Sequence, residues 1–179
     1  MSNRLERESV ILQSTAAAER GLRAIFDWRG DRYGHRIELI ESDRERVLLN
    51  SHEGVAVDHW PSSPPLQQLH LENRQAGQQV VLLVGMSNKE HWSASVEVDA
   101  TGETLTFDIA CRVSTPNISL RSTYEIDKTV GPNWILEPLE CDGQMTNVVH
   151  DGNRIAITPP PSSVRTVRWK YRISINARS

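Results

Sequence analysis

Residues 91–113, HWSASVEVDATGETLTFDIACRV, alternate apolar and polar side chains almost without error on either side of one short break. In the first half Trp92, Ala94, Val96 and Val98 fall on one side, with His91, Ser93, Ser95, Glu97 and Asp99 on the other. In the second half Leu105, Phe107, Ile109, Cys111 and Val113 oppose Thr104, Thr106, Asp108, Ala110 and Arg112. Successive side chains of a strand point to opposite faces, so this period predicts a hairpin with one buried and one solvated face. A four-residue loop Asp99–Gly102 would set Val96 against Leu105, Ala94 against Phe107 and Trp92 against Ile109. On the wet face it would set Glu97 against Thr104, Ser95 against Thr106 and Ser93 against Asp108.

The same period recurs outward from this hairpin. It is cleanest in Thr166–Ile175, where Val167, Trp169, Tyr171, Ile173 and Ile175 oppose Thr166, Arg168, Lys170, Arg172 and Ser174. Leu22–Trp28 and Tyr33–Glu41 flank the turn Arg29-Gly30-Asp31-Arg32, and Met145–His150 and Arg154–Thr158 flank Asp151-Gly152, both hairpin signals. Further strands are expected at Glu8–Gln13, Arg46–Asn50, Gly54–Asp58, Leu66–Asn73, Gln79–Met86 and Ser119–Asp127, with at most a helical turn in Thr15–Arg20. Proline lacks the ladder donor, so Trp60–Pro65 and Thr158–Ser163 read as crossovers. Many short strands without a long amphipathic helix predict an all-β fold. It is expected to be a single-domain antiparallel two-sheet β-sandwich of jelly-roll or supersandwich type over residues 1–179.

Composition narrows the function classes. A net charge of −3 and a pI near 6.1 argue against a nucleic-acid partner held by phosphate neutralisation. Residues 1–50 carry nine basic and nine acidic side chains, residues 51–163 six and fourteen, and residues 164–179 five and none. The basic final strand is therefore expected to pair with the acidic body of its own domain. Cys111 lies on an apolar strand face and Cys141 in an acidic, turn-rich stretch, Glu137–Gly143, so no disulfide framework is implied. Residues 1–8 lack the apolar segment of a secretory signal, and the longest apolar run, Val80–Val84, is too short for a bilayer. The expectation is a cytoplasmic protein with no membrane partner.

The chemistry-bearing residues point in three directions. The wet hairpin face offers Ser93, Ser95, Glu97 and Asp108, with Arg112 nearby; if Ser119–Asp127 pairs next, Arg121 and Glu125 join it. Such a face could hold a hydroxyl-rich ligand, although a solvated face with cross-strand ion pairs has the same composition. Trp60 and Trp134 sit beside prolines or in loops, where tryptophan serves as ligand platform or as lid over a sandwich end. Acid–base chemistry on a sugar needs a histidine facing a carboxylate, and the candidates are His91 with Glu97 or Asp108, and His35 with Glu38 or Asp27. No two histidines stand at metal-ligand spacing, no glycine-rich loop precedes a helix, and no nucleophile elbow is present, so neither metal nor cofactor is expected. The leading expectation is a non-catalytic binding module for a carbohydrate or protein partner. An epimerase-like or lyase-like enzyme is the alternative, and an assembly role through edge strands, giving a homodimer, is the third.

Overall fold

The computed structural model describes residues 7–15, 20–42, 44–54, 58, 60–74, 78–114, 118–127, 129, 131, 133–162 and 165–176. The alternating segments become β7 (Glu90–Val98) and β8 (Thr104–Arg112). Before them come β1 (Val10–Gln13), β2 (Arg20–Trp28), β3 (Tyr33–Glu41), β4 (Arg44–Ser51), β5 (Leu66–Asn73) and β6 (Gln79–Ser87). After them come β9 (Ser122–Ile126), β10 (Trp134–Cys141), β11 (Gln144–Met145), β12 (Asn147–Asp151), β13 (Arg154–Thr158) and β14 (Thr166–Ile175). The first sheet has the order β1-β2-β3-β4-β9-β13-β12 and the second β11-β10-β14-β8-β7-β6-β5, each of seven antiparallel strands. The result is a two-sheet β-sandwich. Residues 55–57 of the expected short strand, residues 16–19 of the expected helical turn, and His59 lie outside the described residues.

Alternation decides what the sheets enclose. The inward residues of the second sheet, among them Trp92, Val96, Phe107, Ile109, Trp169 and Tyr171, pack on Leu12, Leu22, Phe26, Ile37, Leu39 and Tyr124 of the first. Phe107 stacks on Tyr171 with ring centroids 4.9 Å apart, and Trp92 meets Trp169 edge-on at 6.1 Å. Both arrangements suit the quadrupole of aromatic rings. Among the described residues no helix is long and apolar enough to cross a membrane.

Several expectations are corrected here. The central hairpin pairs Val96 with Phe107, Ala94 with Ile109 and Trp92 with Cys111, two residues out of the expected register. The cause is the Asp99 carboxylate, which accepts from the amides of Glu103 (2.9 Å) and Thr104 (3.1 Å). The loop is thereby closed over Ala100–Glu103, with Gly102 at φ 78°. On the wet face Ser93 consequently meets Ala110, Ser95 meets Asp108 and Glu97 meets Thr106.

The strand expected at Ser119–Asp127 does not extend that hairpin. It is β9, seated in the first sheet between β4 and β13, so Arg121 and Glu125 leave the wet face of β7 and β8. The neighbour of β8 is β14. Trp134 begins a strand rather than sitting in a loop, and the stretch expected as turns continues that strand to Cys141. Pro138 pairs with Tyr171 of β14, and the short β11 meets β10 only at Glu140 and Cys141. An edge of this kind is where a strand tolerates proline.

Candidate functional site

Two constellations emerge from this topology, one on each face of the second sheet. On the outer face, Met86, His91, Arg112 and Thr166 are successive cross-strand partners across β6, β7, β8 and β14. The adjacent row runs Gln68, Val84, Ser93, Ala110 and Arg168. Apart from Arg168, these two rows line an open groove of about 500 Å³, together with Gln67. Neighbouring strands stand about 4.8 Å apart, so the three strand gaps from β6 to β14 span roughly 14 Å. Small-molecule sites fall in a volume range of roughly 300–1,000 Å³. The wet face thus brings His91, Ser93 and Arg112 into one groove, while Ser95, Asp108 and Glu97 occupy the rows beyond it.

Local chemistry shapes the groove wall. Between Leu66 and Gln68 the register of β5 against β6 shifts, and the Gln67 side chain takes over the missing ladder. Its Nε2 donates to the Met86 carbonyl at 3.1 Å, and its Oε1 accepts from the Met86 amide at 3.1 Å. On the other side of β6, Gly85 permits the chain at Pro65 to press against the sheet, since a Cβ there would collide with the Pro65 carbonyl. Val84 and Met86 stay exposed at 48% and 49%, giving the groove an apolar floor between polar walls.

The inner constellation surrounds His35. Its Nε2 lies 2.8 Å from the Tyr124 hydroxyl, which lies 2.7 Å from the Tyr171 hydroxyl. Tyr171 also hydrogen-bonds Ser122, whose Oγ accepts from Trp169 Nε1 at 3.0 Å. Trp169, Ser122, Tyr171, Tyr124 and His35 thus form one connected hydrogen-bond chain between the sheets, in which either tyrosine hydroxyl can donate to the other and the imidazole tautomer follows that choice. Ser51 Oγ accepts from the His35 amide at 2.7 Å and donates to buried Glu53. Glu53 shares with Arg29 the space above Gly34, where a Cβ would stand 2.7 Å from Arg29 Nε and 2.9 Å from Glu53 Oε2. His35, Glu53, Tyr124 and Tyr171 line a cavity of about 20 Å³.

Burial sets the protonation here. It drives the His35 pKa down to about 3, with the Arg29 charge acting the same way, so the ring is neutral. Burial raises the Glu53 carboxyl, opposed by the Ser51 hydrogen bond and the Arg29 charge. Tyr124 is pushed well above the usual phenol value by burial and by Tyr171. Neither carboxylate expected to serve His35 does so. Glu38 faces Arg23 and Arg36 instead, and Asp27 binds Arg36. His91 stands four residues from Ser95, the partner of Asp108, a separation of roughly 13 Å along β7.

The two loop-proximal tryptophans are far apart. Trp60 packs on Trp92 at 6.1 Å and donates its indole N–H to the Ser119 carbonyl at 2.7 Å. Trp134 pairs with Ile175, six residues or roughly 20 Å along β14 from Trp169. Among the described residues no group of three His, Cys, Asp or Glu side chains is placed to hold a metal ion. The final strand finds acidic neighbours, with Arg168 and Lys170 at Asp108 and Arg172 at Glu137. Sequence reading missed Val84, Met86 and Gln68 in the groove, and Glu53, Tyr124, Tyr171 and Ser122 inside. The signal for Met86 was present, as an apolar residue two positions beyond Val84 in the same strand. Comparison of the chain with protein-family models, with curated proteins and with solved structures found no match.

Proposed function

We propose that the chain is a non-catalytic β-sandwich binding module that holds a carbohydrate in the outer groove of its second sheet. The observation that carries this reading is the juxtaposition of two rows, Met86–His91–Arg112–Thr166 and Gln68–Val84–Ser93–Ala110. Together they set an apolar floor among hydroxyl, amide, imidazole and guanidinium groups. A sugar ring presents the complementary pattern, C–H faces with hydroxyls around the rim. The groove crosses the strands on a sheet face, which favours a compact polyol over a protein partner that adds a strand to an edge. The acid–base alternative has less support, because Glu38 and Asp27 bind arginines rather than His35, while Asp108 and Glu97 stand roughly 13 Å or more from His91 along the sheet.

The test is a glycan array followed by calorimetry on hits, with Ser93→Trp as the groove-filling variant. Ser93 is exposed, so the variant should keep the melting temperature within about 2 °C. It should abolish binding. Binding that survives Ser93→Trp, or the absence of any glycan ligand, defeats the proposal.

A further inference from the structure

We infer that the saccharide is an acidic one, carrying a carboxylate that Arg112 receives; the inference rests on the groove being a carbohydrate site. Basic side chains along the outer face of the second sheet are paired with carboxylates. Arg74 binds Glu97 at 2.9 Å, Arg168 binds Asp108 at 3.0 Å and Arg172 binds Glu137 at 2.8 Å. Lys170 also reaches Asp108, at 3.9 Å, and Arg168 reaches Asp142 at 3.6 Å. Arg112 breaks the pattern. It is exposed at the end of β8, and among the described residues no carboxylate lies within ion-pair distance of it.

Glu90, one residue from His91, is turned inward and buried, and the outward carboxylates of β7 and β8 are already engaged. Asp108 is shared by Arg168 and Lys170, and Glu97 by Arg74, so neither is free to neutralise the groove. His91, directly opposite Arg112, adds a ring N–H donor and no negative charge. A guanidinium presents a planar fork that matches a carboxylate with two parallel hydrogen bonds. At the lip of a groove with a Val84–Met86–Ala110 floor, that fork would fix a uronate ring by its carboxylate while the floor takes its C–H face.

The experiment uses the full chain and calorimetric titration with oligomers of galacturonate, glucuronate, mannuronate and guluronate. Each is compared with its carboxyl-reduced neutral counterpart and with a sulfated neutral oligomer. At least one uronate oligomer should bind roughly tenfold or more tighter than its reduced counterpart, the scale of one charge-assisted pair. Arg112→Gln should lose that factor for the uronate and change binding of the neutral oligomer less than about twofold. Arg112→Lys should restore only part of it, because an ammonium lacks the fork. Equal affinity for acidic and reduced forms, or preference for the sulfated oligomer, overturns the carboxylate assignment and leaves the groove reading standing. Failure of every oligomer to bind overturns both.

Discussion

Acidification should weaken the fold through one side chain, His35. The ring is packed between Phe26 and Phe107 at centroid distances of 5.4 and 5.5 Å and has Tyr124 on Nε2. Its pKa falls from 6.5 to about 3 on folding, by burial first and the Arg29 charge second. A group whose folded pKa is depressed contributes stability that is present above its unfolded pKa and is lost as the pH falls toward the folded one. Here the window runs from about pH 6.5 down to about pH 3. At pH 5 the gap to the unfolded value is 1.5 units, and at about 1.36 kcal/mol per unit the loss relative to pH 7 is about 2 kcal/mol. Glu53 acts in the opposite sense. Its raised pKa means that protonation relieves the folded state, so stability is regained as the pH falls through its folded value.

The two effects separate in a variant comparison. His35→Gln removes the titration and keeps an amide within reach of Tyr124. Urea denaturation followed by tryptophan fluorescence at pH 7, 6 and 5 gives the difference between wild type and variant at each pH. That difference should shrink by about 2 kcal/mol between pH 7 and pH 5. A difference constant within about 0.5 kcal/mol across this range would refute the assignment of a buried, neutral imidazole, as would a His35 ring proton that titrates near the unperturbed value of about 6.5.

Two further outcomes follow from packing. Gly85→Ala should destabilise by about 1–3 kcal/mol, because its Cβ would meet backbone at Pro65 rather than a side chain that can turn away; a midpoint shift in urea measures it, and an unchanged midpoint contradicts the close approach. Trp169→Phe strips Ser122 of its donor, whereas Trp92→Phe removes an indole N–H that is buried without a partner. Both indoles are buried, so the Trp169 variant should be less stable than the Trp92 variant by about 1 kcal/mol, and the reverse order in thermal melts would show that Trp92 has a partner in solution.

The faces of the strands were legible in the sequence and their partners were not, for a physical reason. Side-chain period fixes which residues share a face, and a shift of two residues leaves every face intact. The hairpin therefore kept Trp92, Val96 and Phe107 inside although its register moved, because register was set by the Asp99 carboxylate in the loop. β10 escaped notice because Pro138 and two glutamates interrupt its pattern, features that an edge position tolerates. The placement of β9 between β4 and β13 is a long-range choice that no local period encodes. With it went the inner hydrogen-bond chain, since Tyr124 and Tyr171 meet across 47 residues and two sheets.

The alternation that hid those partners also separates the molecule's two chemistries. β7, β8 and β14 carry Trp92, Cys111, Trp169 and Tyr171 inward and His91, Ser93, Arg112 and Thr166 outward. The inward set anchors the strands: Trp169 and Tyr171 are wholly buried and tied through Ser122 and Tyr124 to the opposite sheet. The outward set hangs on that frame without contributing to it, because Arg112 forms no ion pair among the described residues and Met86 and Val84 remain half in water. Surface substitutions of this kind typically shift stability by less than about 0.5 kcal/mol. The residues lining the groove can therefore change without endangering the fold, whereas the sites that hold the fold, Gly85, Trp169 and His35, lie one residue out of phase with it or on the facing sheet.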